Sequence, residues 1–440
     1  MHRLRLGRFL AAFLAFVLVL SACSSADDPD GETSAGTEAS DAPTDSESEG
    51  EGDEPAETEG SASSSSGPVP GVGGVEVVSV DYASINYDDP PAGSALQGDR
   101  DNPAYPTPLI EPVRIVPVIP ADSIRPIDEP QYASIADTDF LEPKEGLVVV
   151  EVNDEVKAFP LQIMIWHEIV NDEIGGVPVS VTYCPLCNSA LAFDRRVGDR
   201  ILDFGTSGAL FQSALVMYDR QTESLWAHFT GEGIVGHYAG LKLSAISVQT
   251  LSFERLSEDY PEALILTRDT GTSRPYGNNP YVGYDEESSG PIGGFFDGDV
   301  DPRLQPKTRV VGFVVEDMAY AADLDQPEQL SVVDIEADGA PVVIFQHPGL
   351  ASALDDASIA GGRDVGQTGV FVPESAEGDS LTFSVDGDEI VDNETGSIWT
   401  LGGTAVDGPL SGQSLTPVAH LNTFWFAWST YHPETAIISE

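Results

Sequence analysis

One stretch of the chain indicates how the protein is organised, because a related stretch follows later in the sequence. It is Gly176-Val-Pro-Val-Ser-Val-Thr-Tyr-Cys-Pro-Leu-Cys-Asn-Ser-Ala-Leu191. It lines up with Gly339-Ala-Pro-Val-Val-Ile-Phe-Gln-His-Pro-Gly-Leu-Ala-Ser-Ala-Leu354 at a constant offset of 163 residues. A second block, Asp219-Arg-Gln-Thr-Glu-Ser-Leu-Trp226, lines up with Asp392-Asn-Glu-Thr-Gly-Ser-Ile-Trp399 at an offset of 173. Collinear matches of this kind indicate an internal repeat. We therefore predict two tandem copies of one duplicated unit, residues 145–270 and 308–440.

Within each copy the local patterns are mostly those of short strands. Residues 147–152 and 177–183 are rich in β-branched side chains and are bounded by turn-forming residues, which predicts strands. Residues 161–166 and 250–260 predict short helices, the second ending before Pro261. We predict a β-rich α+β fold of two related halves. A Pro-rich lead segment at 68–140 is expected to pack across them, and a Gly/Pro/Tyr-rich insert at 271–307 to separate them.

The first 23 residues have the pattern of a targeting segment. Arg3, Arg5 and Arg8 precede an apolar run that is shorter than the roughly 18 residues of a membrane-spanning helix. The following Leu20-Ser-Ala-Cys23 resembles the lipobox of bacterial lipoproteins, which implies that Cys23 is lipidated and becomes the mature N-terminus. We therefore expect a protein anchored by lipid to the extracytoplasmic side of the cell membrane. An ordinary signal peptide with a chance cysteine is the alternative.

Residues 24–67 are predicted to be a disordered tether between that anchor and the folded part. They hold 14 acidic and no basic residues among Ser, Gly, Thr, Ala and Pro, a composition that cannot bury apolar surface and repels itself. The whole chain has 73 acidic against 20 basic residues. This balance excludes nucleic acid as a partner, because phosphate contacts are made by Lys and Arg.

The acidic surface leads to a prediction about salt. Like charges repel at low ionic strength and are screened as salt is added. If the host lives at high salt or high pH, the thermal unfolding midpoint of the protein should rise between low and molar salt. Scanning calorimetry at both concentrations measures this. Equal midpoints would instead favour an acidic surface that serves solubility alone.

The repeat also separates candidate functional residues from structural ones. Positions common to both copies, such as Asp219 and Trp226, are expected to serve the fold. Reactive groups found in only the first copy are better site candidates: Cys184 aligns with His347, Cys187 with Leu350, and His167 with Leu330. Any chemistry is therefore predicted to lie in the first copy.

The most informative of these residues are Cys184 and Cys187, directly after a predicted strand. Two intervening residues let both sulfurs face one point, which suits a disulfide, a redox-active dithiol or a shared metal ion. For the metal interpretation, His167 is the predicted third ligand and Met217 or solvent the fourth. Soft and borderline ligands of this kind select copper or zinc. A hydrogen-bonded, partly buried His167 without a metal is the alternative.

An anion site is a further prediction in the first copy. Phe204-Gly-Thr-Ser-Gly208 is a small-residue turn whose N–H groups are suited to an anion, with Ser207 as a candidate ligand or nucleophile. Arg195 and Arg220 stand out in a chain with few basic residues and are candidates to bind the same anion. Pairing of these arginines with local carboxylates is the alternative.

Several of these stretches resemble the uncharacterised bacterial and archaeal family called domain of unknown function 3179. They are K-A-F-P-L-Q-I-M-I-W-H-E-I-V-N-D, V-P-V-S-V-T-Y-C-P-L-C-N-S-A, F-G-T-S-G-A-L and M-Y-D-R-Q-T-E-S-L-W. The chain matches the family pattern at His167, Cys184, Cys187, Met217 and Arg220, but has Lys157 and Phe159 where the family is expected to have Arg and Tyr. The resemblance implies location and architecture and supplies no reaction.

Two functions are consistent with these features. The first is an envelope lipoprotein that binds copper or zinc in its first copy, as a redox enzyme or a metal-handling protein. The second is a non-enzymatic binding module for a small molecule, in which Cys184 and Cys187 form a structural disulfide.

Overall fold

The computed structural model describes residues 87–316, 318–323 and 329–439. The predicted targeting segment, Cys23 and the predicted tether lie outside the described residues. Strands account for 40% of the structure and helices for 9%, which confirms the β-rich class. Among the described residues, no helix combines the length and the apolar composition needed to cross a membrane.

The first set of elements runs from residue 112 to residue 266. Its strands and helices are β1 Val116–Pro117, β2 Tyr132–Ser134, β3 Gly146–Val152, β4 Glu155–Pro160, α1 Leu161–His167, β5 Ile169–Ile174, β6 Val177–Cys184, β7 Ser189–Asp194, β8 Arg196–Val197, β9 Arg200–Ile201, β10 Phe204–Phe211, β11 Ala214–Asp219, β12 Leu225–Ala227, β13 Glu232–Val235, β14 Ala245–Ile246, β15 Val248–Ser252, α2 Phe253–Asp259 and β16 Leu264–Leu266. Short 3₁₀ turns occur at Pro112–Arg114 and Ile135–Asp137.

The second set runs from residue 309 to residue 439. Its elements are β17 Arg309–Val315, β18 Met318–Asp323, β19 Ser331–Ala337, β20 Ala340–His347, β21 Gln367–Val372, β22 Phe383–Asp386, β23 Glu389–Asp392, β24 Ile398–Trp399, β25 Ala405–Asp407, β26 Thr416–Pro417, β27 His420–Phe424, α3 Trp425–Tyr431 and β28 Ala436–Ser439. A 3₁₀ turn at Ile359–Gly361 precedes β21.

Each set forms three larger sheets with matching strand orders. In the first set they are β15-β3-β4-β16-β2 (sheet I), β14-β7-β6-β5 (sheet II) and β1-β10-β11-β12-β13 (sheet III). In the second set they are β27-β17-β18-β28, β26-β21-β20-β19 and β22-β23-β24-β25. Each set opens with a hairpin, β3–β4 in the first and β17–β18 in the second. A later strand, which follows a short helix, pairs in parallel with the second strand of that hairpin: β16 with β4, and β28 with β18.

The block that the two sets share makes the same hydrogen bonds in each. Trp226 Nε1 donates to Asp219 Oδ2 at 2.9 Å, and Trp399 Nε1 donates to Asp392 Oδ2 at 3.0 Å. Thr222 and its counterpart Thr395 also donate to these carboxylates. Both aspartates are fully buried, and a buried carboxylate requires such donors. These side chains therefore hold the turn between two strands, the structural role that the repeat predicts.

One predicted helix is shorter than expected. Residues 250–252 belong to β15, and the helix begins only at Phe253. The side chain of Ser252 accepts a hydrogen bond from the Arg255 amide and so caps the first turn. The predicted start of this helix was wrong, because the helix and its cap begin three residues later than the sequence pattern indicates.

The hydrophobic core links the two sets. Its largest cluster contains strands of sheets II and III together with Phe424, Trp425 and Trp428 from the end of the chain. Part of the lead segment also contributes, including Leu109, Ile115 and Ile127, and β1 pairs with β10. The tip of the β6–β7 hairpin lies within this cluster, which places the two cysteines in the interior.

Candidate metal centre

The β6–β7 hairpin positions both cysteines. Cys184 is the last residue of β6 and pairs with Ser189, the first residue of β7. The four residues between them form the turn, and Asn188 adopts the left-handed conformation with φ 50°, which asparagine tolerates better than most residues. Both cysteines are free and buried. The turn therefore presents two thiols at one end of sheet II.

The backbone of this turn is held by residues from distant parts of the chain. The Cys187 carbonyl accepts hydrogen bonds from Thr423 Oγ1 at 2.8 Å and from the Phe424 amide at 3.2 Å. The Leu186 carbonyl accepts one from the Tyr284 hydroxyl at 2.9 Å. Because the turn is fixed on both sides, the two sulfurs have a defined position.

A histidine from sheet III completes a group of three donors. The Cys184 and Cys187 sulfurs and a ring nitrogen of His228 all lie within 4.8 Å of one another. His228 is the first residue after β12, and its amide donates to the Leu215 carbonyl of β11 at 3.2 Å. Sheets II and III therefore meet at this point, and each contributes part of the group.

His228 is buried without a hydrogen-bond partner. Its side chain is inaccessible to solvent, and neither ring nitrogen has a partner among the described residues. Burial lowers its pKa to about 3, so the ring is neutral and retains a lone pair on one nitrogen. A buried polar group left unpaired costs about 1–3 kcal/mol. A ligand between His228 and the thiols would remove that cost.

The two thiols differ in acidity. Burial raises the pKa of Cys184, but hydrogen bonds from the Cys187 thiol and from the amides of Leu215, Cys187 and Leu186 outweigh it, so its pKa is lowered. Burial and the neighbouring Cys184 raise the pKa of Cys187 well above its usual value. The Ser189 hydroxyl lies 2.8 Å from Cys187 Sγ. Cys184 is therefore the thiol that is more readily deprotonated.

The predicted histidine ligand is elsewhere. His167 Nδ1 lies 2.6 Å from the Arg125 carbonyl oxygen, and its Nε2 lies 2.6 Å from the Tyr276 hydroxyl. Burial lowers the pKa of His167 to about 4. With both nitrogens engaged, His167 is not part of the three-donor group, and the histidine grouped with the thiols is His228 instead. Proximity to Cys184 in the sequence was misleading because α1 turns this side chain toward the lead segment and the insert.

Met217 lies on β11, fully buried and paired in register with Trp226. It is two residues from Leu215, so the two side chains are on the same face of the strand. Leu215 is the residue whose amide reaches the Cys184 thiol. The role of Met217 as a fourth ligand stays a prediction.

The predicted anion-binding residues are occupied by protein partners. Ser207 lies in the irregular part of β10, donates to the Val216 carbonyl at 2.5 Å and accepts from the Ala209 amide at 3.1 Å. Arg195 pairs with Asp203 at 2.6 Å, and Arg220 pairs with Asp128 at 2.8 Å. These contacts correspond to the structural alternative for both arginines, and an anion would have to compete with them.

Two residues near the thiols were missed by sequence reasoning. His228 could have been found from the predicted repeat, since the offset of 173 aligns it with Leu401, and a reactive group would then occur at this position of the predicted first copy alone. Glu168 follows α1 in the left-handed conformation with φ 58° and is 7% exposed. Burial and the nearby Cys184 raise its pKa well above the usual value. No local pattern predicts that burial.

Comparison with known proteins gives one match. Comparison with the curated proteins finds no significant similarity, and neither does comparison with the solved structures. A protein-family model matches residues 121–435, a span that contains α1, the hairpin with both cysteines, His228 and most of the second set. The chain therefore belongs to the family described as "Protein of unknown function (DUF3179)".

Proposed function

We propose that this protein binds one copper(I) or zinc ion through Cys184, Cys187 and His228. The observation that carries the proposal is the buried His228 ring, which has no hydrogen-bond partner among the described residues and lies within 4.8 Å of both sulfurs. Buried polar groups are almost always paired. A metal ion at this point would be the partner of all three donors.

The donor set favours soft metals. Thiolates select copper(I) and zinc over magnesium or calcium, and neutral imidazole suits copper and zinc equally. Structural zinc is almost always bound by four ligands, so zinc would need Met217 or an external donor in addition. We therefore propose copper(I) as the preferred ion, because two thiolates and one imidazole can bind it without a fourth ligand.

Burial favours metal handling or electron transfer over hydrolysis. Catalytic zinc keeps an open position for water and substrate, whereas Cys184, Cys187 and His228 are at most 1% exposed.

The second candidate function is a binding module with a Cys184–Cys187 disulfide, which the short spacing permits. It leaves the unpaired His228 without an explanation.

Metal titration tests the proposal. The reduced chain is mixed with copper(I) or Zn²⁺ buffered by a competing chelator, and bound metal is measured at equilibrium. We expect one ion per chain for the preferred metal. Metal bound in no fixed ratio, or none at all, would contradict the proposal.

The substitution Met217→Leu keeps the volume of the side chain and removes its sulfur. If Met217 is the fourth ligand, this variant should bind zinc more weakly, with a smaller loss of affinity for copper(I). Equal affinities in the variant and the parent chain would show that Met217 is not a ligand.

We also propose that Cys23 anchors the protein to the extracytoplasmic face of the cell membrane. The basic start, the short apolar run and the lipobox-like Leu20-Ser-Ala-Cys23 support this. Changing Cys23 to alanine should release the protein from the membrane fraction. Retention there would mean that another segment holds it.

Finally, we propose that the two sets of sheets arose by duplication and that only the first kept the donors. The matching strand orders and the repeated Asp–Trp hydrogen bond support this. At the aligned positions the second set has His347, Leu350 and Leu401, which include only one metal-binding side chain.

A further inference from the structure

A small cavity lies beside the turn that carries Cys184 and Cys187. Its volume is about 50 Å³, and Glu168, Leu186 and Leu215 are among its lining residues. Leu186 lies between the two cysteines in the sequence, so the cavity lies next to the segment that carries both thiols. A water molecule needs roughly 10–15 Å³ of such space. The cavity is therefore large enough for a metal ion with part of its hydration shell.

The cavity connects the surface with the interior. Ile119, Leu210 and Tyr281 in its lining are partly exposed, whereas Leu186 and Leu215 are buried. A path along it would end at Leu186, in the turn that carries both cysteines. The same turn is held in place by the hydrogen bonds of Thr423 and Phe424 to the Cys187 carbonyl.

Glu168 is the acidic residue in the lining of this cavity. It is 7% exposed. No hydrogen bond or ion pair joins its carboxyl group to another described residue, and burial, with Cys184 nearby, raises its pKa well above the usual value. A buried carboxylate without a counter-charge is unfavourable, and a cation in the cavity would supply that charge.

We propose that Glu168 is the uptake carboxylate of the metal centre: a cation enters the cavity, binds the Glu168 carboxylate as its proton is released to water, and passes to Cys184, Cys187 and His228 as the two thiols release their protons to water. This inference rests on the proposed function. Glu168 is not in the group whose ligand atoms lie within 4.8 Å of one another, so it acts before the final site and does not belong to it. The cation is the same soft metal, copper(I) or zinc.

The test compares the loading kinetics of Glu168→Gln with those of Glu232→Gln. Glu232 is a matched control, since it is also buried, 2% exposed, and lies on the hairpin that carries His228. It pairs with Lys242 at 3.9 Å and does not line the cavity. Stopped-flow mixing of each metal-free chain with chelator-buffered copper(I) and with Zn²⁺ gives the loading rate. Equilibrium titration gives the affinity.

We expect Glu168→Gln to load at least about 10-fold more slowly, because the amide cannot release a proton and bind the entering cation as a carboxylate. Its stoichiometry and affinity should equal those of the parent chain, and Glu232→Gln should load at the parent rate. Loading of Glu168→Gln at the parent rate would overturn the inference. Equal slowing in both variants, or a weaker affinity at an unchanged loading rate, would overturn it too.

The results also distinguish failure of the proposed function from failure of the inference about Glu168. If the parent chain binds no metal, the proposed function fails and the inference with it; if the parent binds metal and Glu168→Gln loads normally, only the inference fails. Unfolding midpoints check that the variant is folded. Should the glutamine variant not fold, Glu168→Asn replaces it, because asparagine accepts the left-handed conformation at this position.

Discussion

Replacing Cys184 with serine should abolish stoichiometric binding of the proposed metal ion. A neutral hydroxyl is a poor ligand for a soft ion, and Cys187 and His228 alone leave two donors. Structural metal sites bind with about 10–16 kcal/mol. Loss of one donor of three should therefore weaken binding at least about 100-fold. Bound metal is measured by equilibrium titration of the purified variant.

The control for this change is Ser189→Ala. It removes the hydroxyl that lies 2.8 Å from Cys187 Sγ but leaves all three proposed ligands in place. This variant should keep one metal ion per chain. Full stoichiometry in Cys184→Ser, or loss of metal in both variants alike, would contradict the proposed site.

Replacing His228 with leucine should change metal binding and stability in opposite directions. Metal affinity should fall at least about 100-fold, because one ligand of three is lost. The metal-free protein should become more stable by about 1–3 kcal/mol, since the change removes two buried ring nitrogens that have no partner. Leucine is also the residue at the aligned position in the second copy, Leu401. Denaturant unfolding and metal titration measure the two effects.

The matched variant is His167→Leu, which changes the other buried histidine near the cysteines. Both of its ring nitrogens have partners at 2.6 Å, so this variant should lose about 1–3 kcal/mol of stability. The Arg125 carbonyl would lose its partner, whereas the Tyr276 hydroxyl keeps its hydrogen bond with Thr270. Its metal affinity should equal that of the parent chain. If His167→Leu loses the metal and His228→Leu keeps it, the ligand predicted from sequence is right and the structural assignment is wrong.

The comparison of these two histidines indicates what the sequence can and cannot predict here. The hairpin around Cys184 and Cys187 was predictable because β-branched runs and turn residues are local signals. The partner of the thiols was not, because His228 reaches them only through the meeting of sheets II and III. Local spacing favoured His167, but α1 directs that ring to Arg125 and Tyr276.

The hydrogen bonds and ion pairs of the predicted anion-binding residues were not predictable for a related reason. The pattern around Ser207 identifies a tight irregular segment, and β10 is irregular there. It does not reveal that Val216 and Ala209 use the hydroxyl. The burial of Glu168 was equally unpredictable, because its surroundings come from the lead segment, β10, β11 and the insert. Sequence reasoning therefore singled out two of the three residues in the group of Cys184, Cys187 and His228.

Native intact-mass spectrometry tests the central claim most directly. The chain from residue 24 is prepared without reductant and without added metal, then measured under native and denaturing conditions. We predict a native mass that exceeds the reduced chain by one copper or zinc ion, and loss of that excess in the Cys184→Ser variant. A chain without metal, lighter than the reduced form by the mass of two hydrogen atoms, would show a Cys184–Cys187 disulfide and contradict the metal centre.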